Sequence, residues 1–202
     1  MIKTPAGAIV LRPPTEKEAI AYEDKHRAHG RPQQEGEQMA GGVYDSGLKE
    51  LLACVVEPSA DTLDPDDGWL AKWPGLIRDM GQEFRRLGGD NVPLVDAPEL
   101  ITEPAHVSLG WRAHGFRYGN VDIVVRRMTF PEYNAFLAVL AADNFFALVA
   151  KIGKDHLLSH RGEGEADKLW AEHAYLSQRI GIKLLDLANG RAEAAEKKPS
   201  SG

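Results

Sequence analysis

Two histidines have the spacing that best fits metal chemistry in this chain of 202 residues. His156 and His160 are four positions apart, so on a helix they would lie on one face and could bind a metal ion together. Acidic residues that could complete such a site follow closely: Glu163, Glu165 and Asp167. A small metal-dependent enzyme is therefore one hypothesis. The chain has no H-E-x-x-H motif, however, and we expect no catalytic residue, no cofactor and no metal ion.

Other residues that suggest chemistry have simpler explanations. The single cysteine, Cys54, lies in an apolar run and is expected in a core rather than as a nucleophile. Aromatic and basic residues alternate between positions 111 and 118, as they do in some RNA-binding strands. A strand with one apolar face explains the same pattern. The formal net charge of −6 also argues against nucleic acid as a general partner.

The composition predicts a soluble globular protein. Hydrophobic residues make up 43% of the chain, which is enough for a core. No apolar run approaches the roughly 18 residues of a membrane span, so we expect no membrane contact. One cysteine excludes an intrachain disulfide, which is typical of a reducing compartment. We therefore expect an intracellular protein.

A strand followed by a capped helix is predicted at two places. In both, an apolar triplet (residues 9–11 and 123–125) precedes arginine and then a T-x-x-E sequence. In such a box the threonine hydroxyl accepts a hydrogen bond from a backbone amide of the first turn, and the glutamate reaches back to the amide of the threonine. The predicted capping residues are Thr15, Glu18, Thr129 and Glu132.

An apolar stripe also occurs twice. Large apolar residues recur at steps of 4, 3, 4, 4 and 3 in residues 69–87, and residues 169–187 repeat these steps with one histidine among the apolar residues. This spacing predicts an amphipathic helix in each segment. Gly81 and Gly181 take the same place in the two stripes.

These patterns predict a mostly α-helical α+β fold with short β elements and two related halves. Each half contains a short strand, a capped helix and a closing amphipathic helix. Residues 1–91 form the first half, and residues 121–190 form the second. Between them, residues 92–120 are a proline-containing connection with a small β meander. Residues 191–202 have no large apolar side chain and are expected to be disordered.

Several short motifs resemble those of the tail assembly chaperones of tailed phages. They are Arg12-Pro13-Pro14-Thr15-Glu16-Lys17-Glu18, Cys54-Val55-Val56-Glu57-Pro58 and Trp73-Pro74-Gly75-Leu76. Residues 127–133 resemble the first motif again, although the second half lacks the other two. A doubled unit is more similar to baseplate-associated proteins of contractile-tailed phages. The resemblance implies a non-enzymatic role in tail or baseplate assembly, as a transient chaperone or as a resident structural adaptor.

The same resemblance implies partners among virion or tail proteins, such as tape-measure, hub or wedge proteins. It places the chain in the host cytoplasm during assembly or in the virion, in a homo- or hetero-oligomer. The alternative is a regulatory protein-binding module on the same scaffold. We expect partner contacts through apolar stripes and adjacent arginines. The predicted contact residues are Trp69, Trp73, Phe84, Trp170, Tyr175, Arg126 and Arg127.

Overall fold

The structure, a computed structural model, describes residues 1–29, 47–139, 144–161 and 166–190. It confirms a mixed α+β fold in which helical residues outnumber strand residues. Contacts divide the described residues into two compact units. Unit 1 comprises residues 1–91 together with 171–175, and unit 2 comprises residues 92–170 and those from 176 onwards. The predicted disordered segment, residues 191–202, lies outside the described residues.

Unit 1 is built on a small antiparallel sheet with the strand order β1–β2–β3. Its strands are β1 (Ile2–Thr4), β2 (Gly7–Leu11) and β3 (Val55–Glu57). Its helices are α1 (Glu16–His29), α2 (Leu48–Ala53), α3 (Trp69–Lys72) and α4 (Leu76–Leu87). Ile9, Met80 and Phe84 are fully buried and belong to one core. The apolar stripe that predicted the closing helix therefore faces this core.

Unit 2 contains an antiparallel sheet with the order β4–β5–β6–β7. Its strands are β4 (Leu94–Asp96), β5 (Ala113–Tyr118), β6 (Val121–Arg126) and β7 (Leu157–Arg161). The helices of this part of the chain are α5 (Pro104–Val107), α6 (Phe130–Val139), α7 (Phe145–Asp155), α8 (Ala166–Glu172) and α9 (Leu176–Ala188). Phe116 and Ile123 are paired in the β5–β6 hairpin and are fully buried in its core.

The predicted β meander is only partly correct. The hairpin of β5 and β6 turns at Gly119, whose φ of 58° suits glycine in a tight turn. The alternation of Val107, Leu109 and Trp111 predicts a further strand of this meander, which is wrong, because the segment ends helix α5 and enters a 3-10 turn at Gly110–Arg112. Pro104 occupies the first turn of α5, where its missing N–H costs nothing.

Both closing helices are interrupted, which the apolar stripes did not predict for the second half. In unit 1, α3 ends at Lys72 and α4 begins at Leu76, because Pro74 disfavours helical backbone at Trp73. The later break separates α8 from α9 without any proline. There, Ala174 and Tyr175 are buried in the core of unit 1, so tertiary packing replaces a continuous helix.

Helices α7 and α9 touch through glycine. A Cβ atom added at Gly181 would lie 2.0 Å from the carbonyl oxygen of Val149, and one at Gly153 would lie 2.0 Å from that of Ser177. Both neighbours are backbone atoms, so no side-chain rotation would relieve the overlap. The two helix backbones can approach this closely only because neither glycine has a side chain.

We expect Gly181→Ala to lower the free energy of unfolding by about 1–3 kcal/mol, because overpacking against backbone outweighs the better helix propensity of alanine. Gly75→Ala is the matched control, since Gly75 has a φ of −61° and no atom within 4 Å of its would-be Cβ. Urea unfolding of both variants measures the difference. Equal stability of the two variants would contradict the glycine contact.

A hydrogen bond from Tyr175 to the partly buried Glu23–Arg85 ion pair joins residues 171–175 to the rest of unit 1. The carboxylate of Glu23 accepts hydrogen bonds from Arg85 Nε at 2.7 Å and Arg85 Nη2 at 2.9 Å. The hydroxyl of Tyr175 donates to the same carboxylate at 3.0 Å. Burial, followed by the nearby Glu23 charge, raises the pKa of Tyr175. The later segment is therefore an integral part of unit 1.

Tyr175→Phe should lower the free energy of unfolding by about 1–2 kcal/mol, because it removes a buried hydrogen bond to a charged acceptor. Tyr133→Phe provides the control. Its hydroxyl donates to Asn189 at 2.5 Å on the exposed surface, and we expect a change below about 0.5 kcal/mol. The comparison is made by urea unfolding. If Tyr175→Phe left the free energy of unfolding unchanged, the hydrogen bonds from Arg85 alone would be sufficient for the Glu23 carboxylate.

Candidate interaction surface

At the start of α1, an arginine forms an ion pair with the capping glutamate. We call this arrangement of arginine, threonine and glutamate the clamp. Glu18 Oε2 accepts hydrogen bonds from the Thr15 amide at 2.8 Å and from the Thr15 hydroxyl at 2.9 Å. Arg12 donates to both oxygens of Glu18, at 2.9 and 2.6 Å. These hydrogen bonds, with those from Thr15, lower the pKa of Glu18 to about 2. The predicted capping box is present, and the arginine adds a two-point ion pair to it.

The same arrangement is found at the start of α6. Glu132 Oε2 accepts from the Thr129 amide and from the Thr129 hydroxyl, both at 2.7 Å. Arg126 donates to the two oxygens of Glu132, at 3.0 and 2.6 Å, and lowers its pKa. Arg126 was predicted as a partner contact, but its guanidinium is held within unit 2. Arg127 lies 3.4 Å from Nδ1 of His114.

Each of these arginines also holds the backbone just before a later strand of its unit, which is β3 in unit 1 and β7 in unit 2. The Arg12 amide donates to the Cys54 carbonyl at 2.9 Å, and the Arg126 amide donates to the His156 carbonyl at 2.8 Å. Cys54 is fully buried, and burial raises its pKa to about 11. As expected, Cys54 is a core residue, and its thiol is a poor nucleophile at neutral pH.

The two histidines do not share a helix face, so the metal-site geometry is wrong. α7 ends at Asp155, His156 caps it, and His160 lies in β7 opposite Ile123. Glu163 and Glu165 lie outside the described residues, as does the side chain of Asp167. Within the described ranges, no group of three or more His, Cys, Asp or Glu side chains is placed to hold a metal ion.

A further histidine, His114, takes part in a polar network that the sequence did not reveal. His114 Nε2 and Asp96 Oδ1 are 2.8 Å apart, and Lys183 donates to the other Asp96 oxygen at 3.4 Å. Both nitrogens of the His114 ring have polar neighbours, since Arg127 lies at Nδ1. The network links β4 and α9 to β5, and its role is structural.

The aromatic residues predicted to contact partners point inwards. Phe84 and Tyr175 are buried in the core of unit 1, and Trp170 is buried in the core of unit 2. Trp69 and Trp73 are partly buried against the unit 1 core, with their ring centroids 6.3 Å apart. In this conformation the three buried rings offer almost no surface to a partner.

Two other aromatic rings are exposed instead. Trp111 is 71% exposed and Phe130 is 76% exposed, although such large rings usually lie inside. Both line a groove of about 220 Å³ in unit 2, which we call the Trp111–Phe130 groove. Its other lining residues are Arg127, Met128, Thr129, Tyr133, Leu187 and Ala188. An exposed apolar groove of this kind is typical of an interaction site.

Local structure presents the two rings to solvent. Trp111 lies in the 3-10 turn that precedes β5, and Phe130 is the first residue of α6, directly after the capping Thr129. The corresponding position after Thr15 is Glu16, which shows that a charged residue is accepted at the start of such a helix. In the sequence, the sign of a surface site was therefore a large apolar residue, Phe130, directly after the capping threonine.

The rim of the groove is basic. The Arg112 guanidinium lies 6.0 Å from the centre of the Trp111 ring, and the Arg127 amide donates to the Arg112 carbonyl at 2.7 Å. Arg127 lines the groove itself, and none of the described lining residues is acidic. Exposed aromatic rings beside arginine are the residue types that most often dominate protein interfaces.

A second groove lies between α6 and α7. It has a volume of about 280 Å³ and an apolar floor that includes Phe136, Leu148 and Ile152. The charged residues at its rim are engaged with one another. Arg126 pairs with Glu132, and Lys151 pairs with Asp155. The charged side chains around this second groove therefore neutralise one another.

None of the described helices is both long enough and apolar enough to span a membrane. Comparisons of the chain with models of protein families, with curated proteins and with solved structures found no match.

The clamp predicts a pH dependence of stability. Because the pKa of Glu18 is about 2 in the folded chain and ordinarily near 4.5, its contribution is present above about pH 4.5 and is lost towards pH 2. We expect Glu18→Gln to lower the free energy of unfolding by about 1–2 kcal/mol at pH 7, with a smaller difference near pH 2. Urea unfolding across this pH range measures it.

Arg12→Met is the companion variant, because it removes the cation and leaves the carboxylate in place. We expect it to raise the midpoint of the Glu18 titration, followed by NMR of the side-chain carboxyl carbon. A midpoint unchanged by Arg12→Met would contradict the assigned role of the arginine.

Proposed function

We propose that this chain is a non-enzymatic assembly protein that acts through protein–protein contacts, of the kind that builds a phage tail or baseplate. The observation that carries the proposal is the exposure of Trp111 and Phe130 around a groove with a basic rim. Its partners would be virion or tail proteins, and the chain would act as a transient chaperone or a resident adaptor. The motif resemblance supplies this biological setting.

We also propose that the two units descend from one duplicated unit. The two clamps support this, because Arg12, Thr15 and Glu18 make the same set of side-chain contacts as the residues 114 positions later. Two independent helix starts seldom recruit an arginine with the same two-point geometry. A shared origin explains both with one event.

Strand pairing adds a second line of support. Ile2 pairs with Ile9 in unit 1, and Phe116 pairs with Ile123 in unit 2, again 114 positions later. The next strand pair has an irregular register at one equivalent place, between Val10 and Leu11 and between Val124 and Val125. A strand irregularity kept at one position is typical of inherited structure.

Divergence between the copies explains why the groove belongs to unit 2. The position after the capping threonine is Glu16 in one copy and Phe130 in the other. Retaining the clamp preserves the scaffold, while the residue beside it changes from charged to aromatic. A duplicated unit can thus gain a contact surface without losing its fold.

Site-specific crosslinking in the native source tests the proposal. p-Benzoyl-phenylalanine replaces Trp111 or Phe130, and the crosslinked proteins are identified by mass spectrometry. Arg78, on α4 of unit 1, is the control position, because its side chain is 81% exposed. We expect virion structural proteins to be captured from positions 111 and 130 and not from position 78.

Capture of regulatory proteins instead would favour the alternative, a regulatory protein-binding module. The absence of any crosslinked protein at positions 111 and 130 would overturn the assignment of the groove as the contact surface. The protein composition of purified virions separates a resident adaptor, which is retained, from a transient chaperone, which is lost.

A further inference from the structure

We propose that the Trp111–Phe130 groove binds an acidic amphipathic helix of a partner protein. Apolar side chains of the helix enter the groove, and its carboxylates pair with the exposed Arg112 at the rim. This inference rests on the proposed function and names the chemistry of the partner. The basic rim also distinguishes the groove from the chain as a whole, whose formal net charge is −6.

The size of the groove favours side chains over a small ligand. Its volume of about 220 Å³ is below the ~300–1,000 Å³ of typical ligand pockets. One or two leucine- or phenylalanine-sized side chains fit such a space. Trp111 and Phe130 then act as walls that lose their exposed area on binding. Apolar side chains three or four residues apart on a helix are spaced to occupy such a groove.

The rim gives the sign of the partner's charge. Arg112 lies close to the Trp111 ring, and a guanidinium near an aromatic ring can still donate hydrogen bonds to a carboxylate. Arg126 is held by Glu132, and Arg127 lies against His114, so the sign of the charge is argued from Arg112 alone. No described acidic residue lines the groove to oppose an anionic partner. Charge complementarity therefore favours glutamate or aspartate on the helix flanks.

A synthetic peptide is the probe. It has about 18 residues, with leucine on one face and glutamate on the other, which gives five helical turns. Two matched peptides carry glutamine or lysine in place of glutamate. Binding of each fluorescently labelled peptide to the full chain is followed by anisotropy at low and high salt.

We expect the acidic peptide to bind at least about tenfold more tightly than the lysine peptide, with binding weakened by salt. Trp111→Ala and Phe130→Ala should each weaken binding by about tenfold or more, as interface aromatic residues do. Arg112→Glu should remove the preference for the acidic peptide. Thermal unfolding of each variant establishes that the fold is intact.

Two control variants make comparable substitutions at exposed residues that do not line the groove. Arg78→Glu reverses an exposed charge in unit 1, and Ile182→Ala truncates an apolar residue that is 40% exposed on α9. Both should leave peptide binding unchanged. Losses of equal size in these variants would show that binding is non-specific and would overturn the proposal.

Equal binding of the three peptides, or no binding of the acidic one, also overturns it. A second copy of the chain is the competing occupant, so sedimentation of the full chain is measured over a range of concentrations. A dimer abolished by Trp111→Ala would assign the groove to self-association instead. Crosslinked virion proteins without acidic-peptide binding would leave the proposed function standing and refute this inference alone.

Discussion

The ion pair between an arginine at the end of a strand and the carboxylate that caps the next helix organises each unit. The carboxylates of Glu18 and Glu132 each accept hydrogen bonds from a threonine amide, a threonine hydroxyl and two guanidinium nitrogens. One carboxylate therefore fixes the angle between strand and helix. The backbone of the same arginine holds the start of the following strand. The sheet, the start of one helix and the end of another therefore meet at one arginine in each unit.

Local patterns in the sequence predicted those features that depend on neighbouring residues. The capping boxes at Thr15 and Thr129 were found because their partners lie three positions away. The predicted β meander is present in part as the β5–β6 hairpin, since the Gly119–Asn120 turn between alternating strands is a short-range signal. The two-point ion pairs were not anticipated. They span six positions and depend on the angle at which the strand meets the helix.

Longer-range features explain the incorrect predictions. The stripe of residues 169–187 has helical spacing throughout, yet the helix breaks where Tyr175 reaches Glu23, far away in the sequence. The same stripes suggested exposed aromatic contacts at Trp170 and Phe84, whereas both rings fill cores. Periodicity indicates which residues share a face, but the partner of that face is set by tertiary structure. The exposed pair, Trp111 and Phe130, belongs to no stripe and was recognisable only from its surroundings in the fold.

The return of residues 171–175 to unit 1 has a consequence for biosynthesis. Ala174 and Tyr175 complete a core whose other members lie in the first 91 residues. During translation at ~5–20 residues per second, that core stays incomplete for several seconds until they emerge from the ribosome. Unit 2 surrounds this insertion in the sequence and is itself unfinished until α9 appears. The cores of the two units are therefore completed almost together, when residues 174–187 have emerged, rather than one after the other.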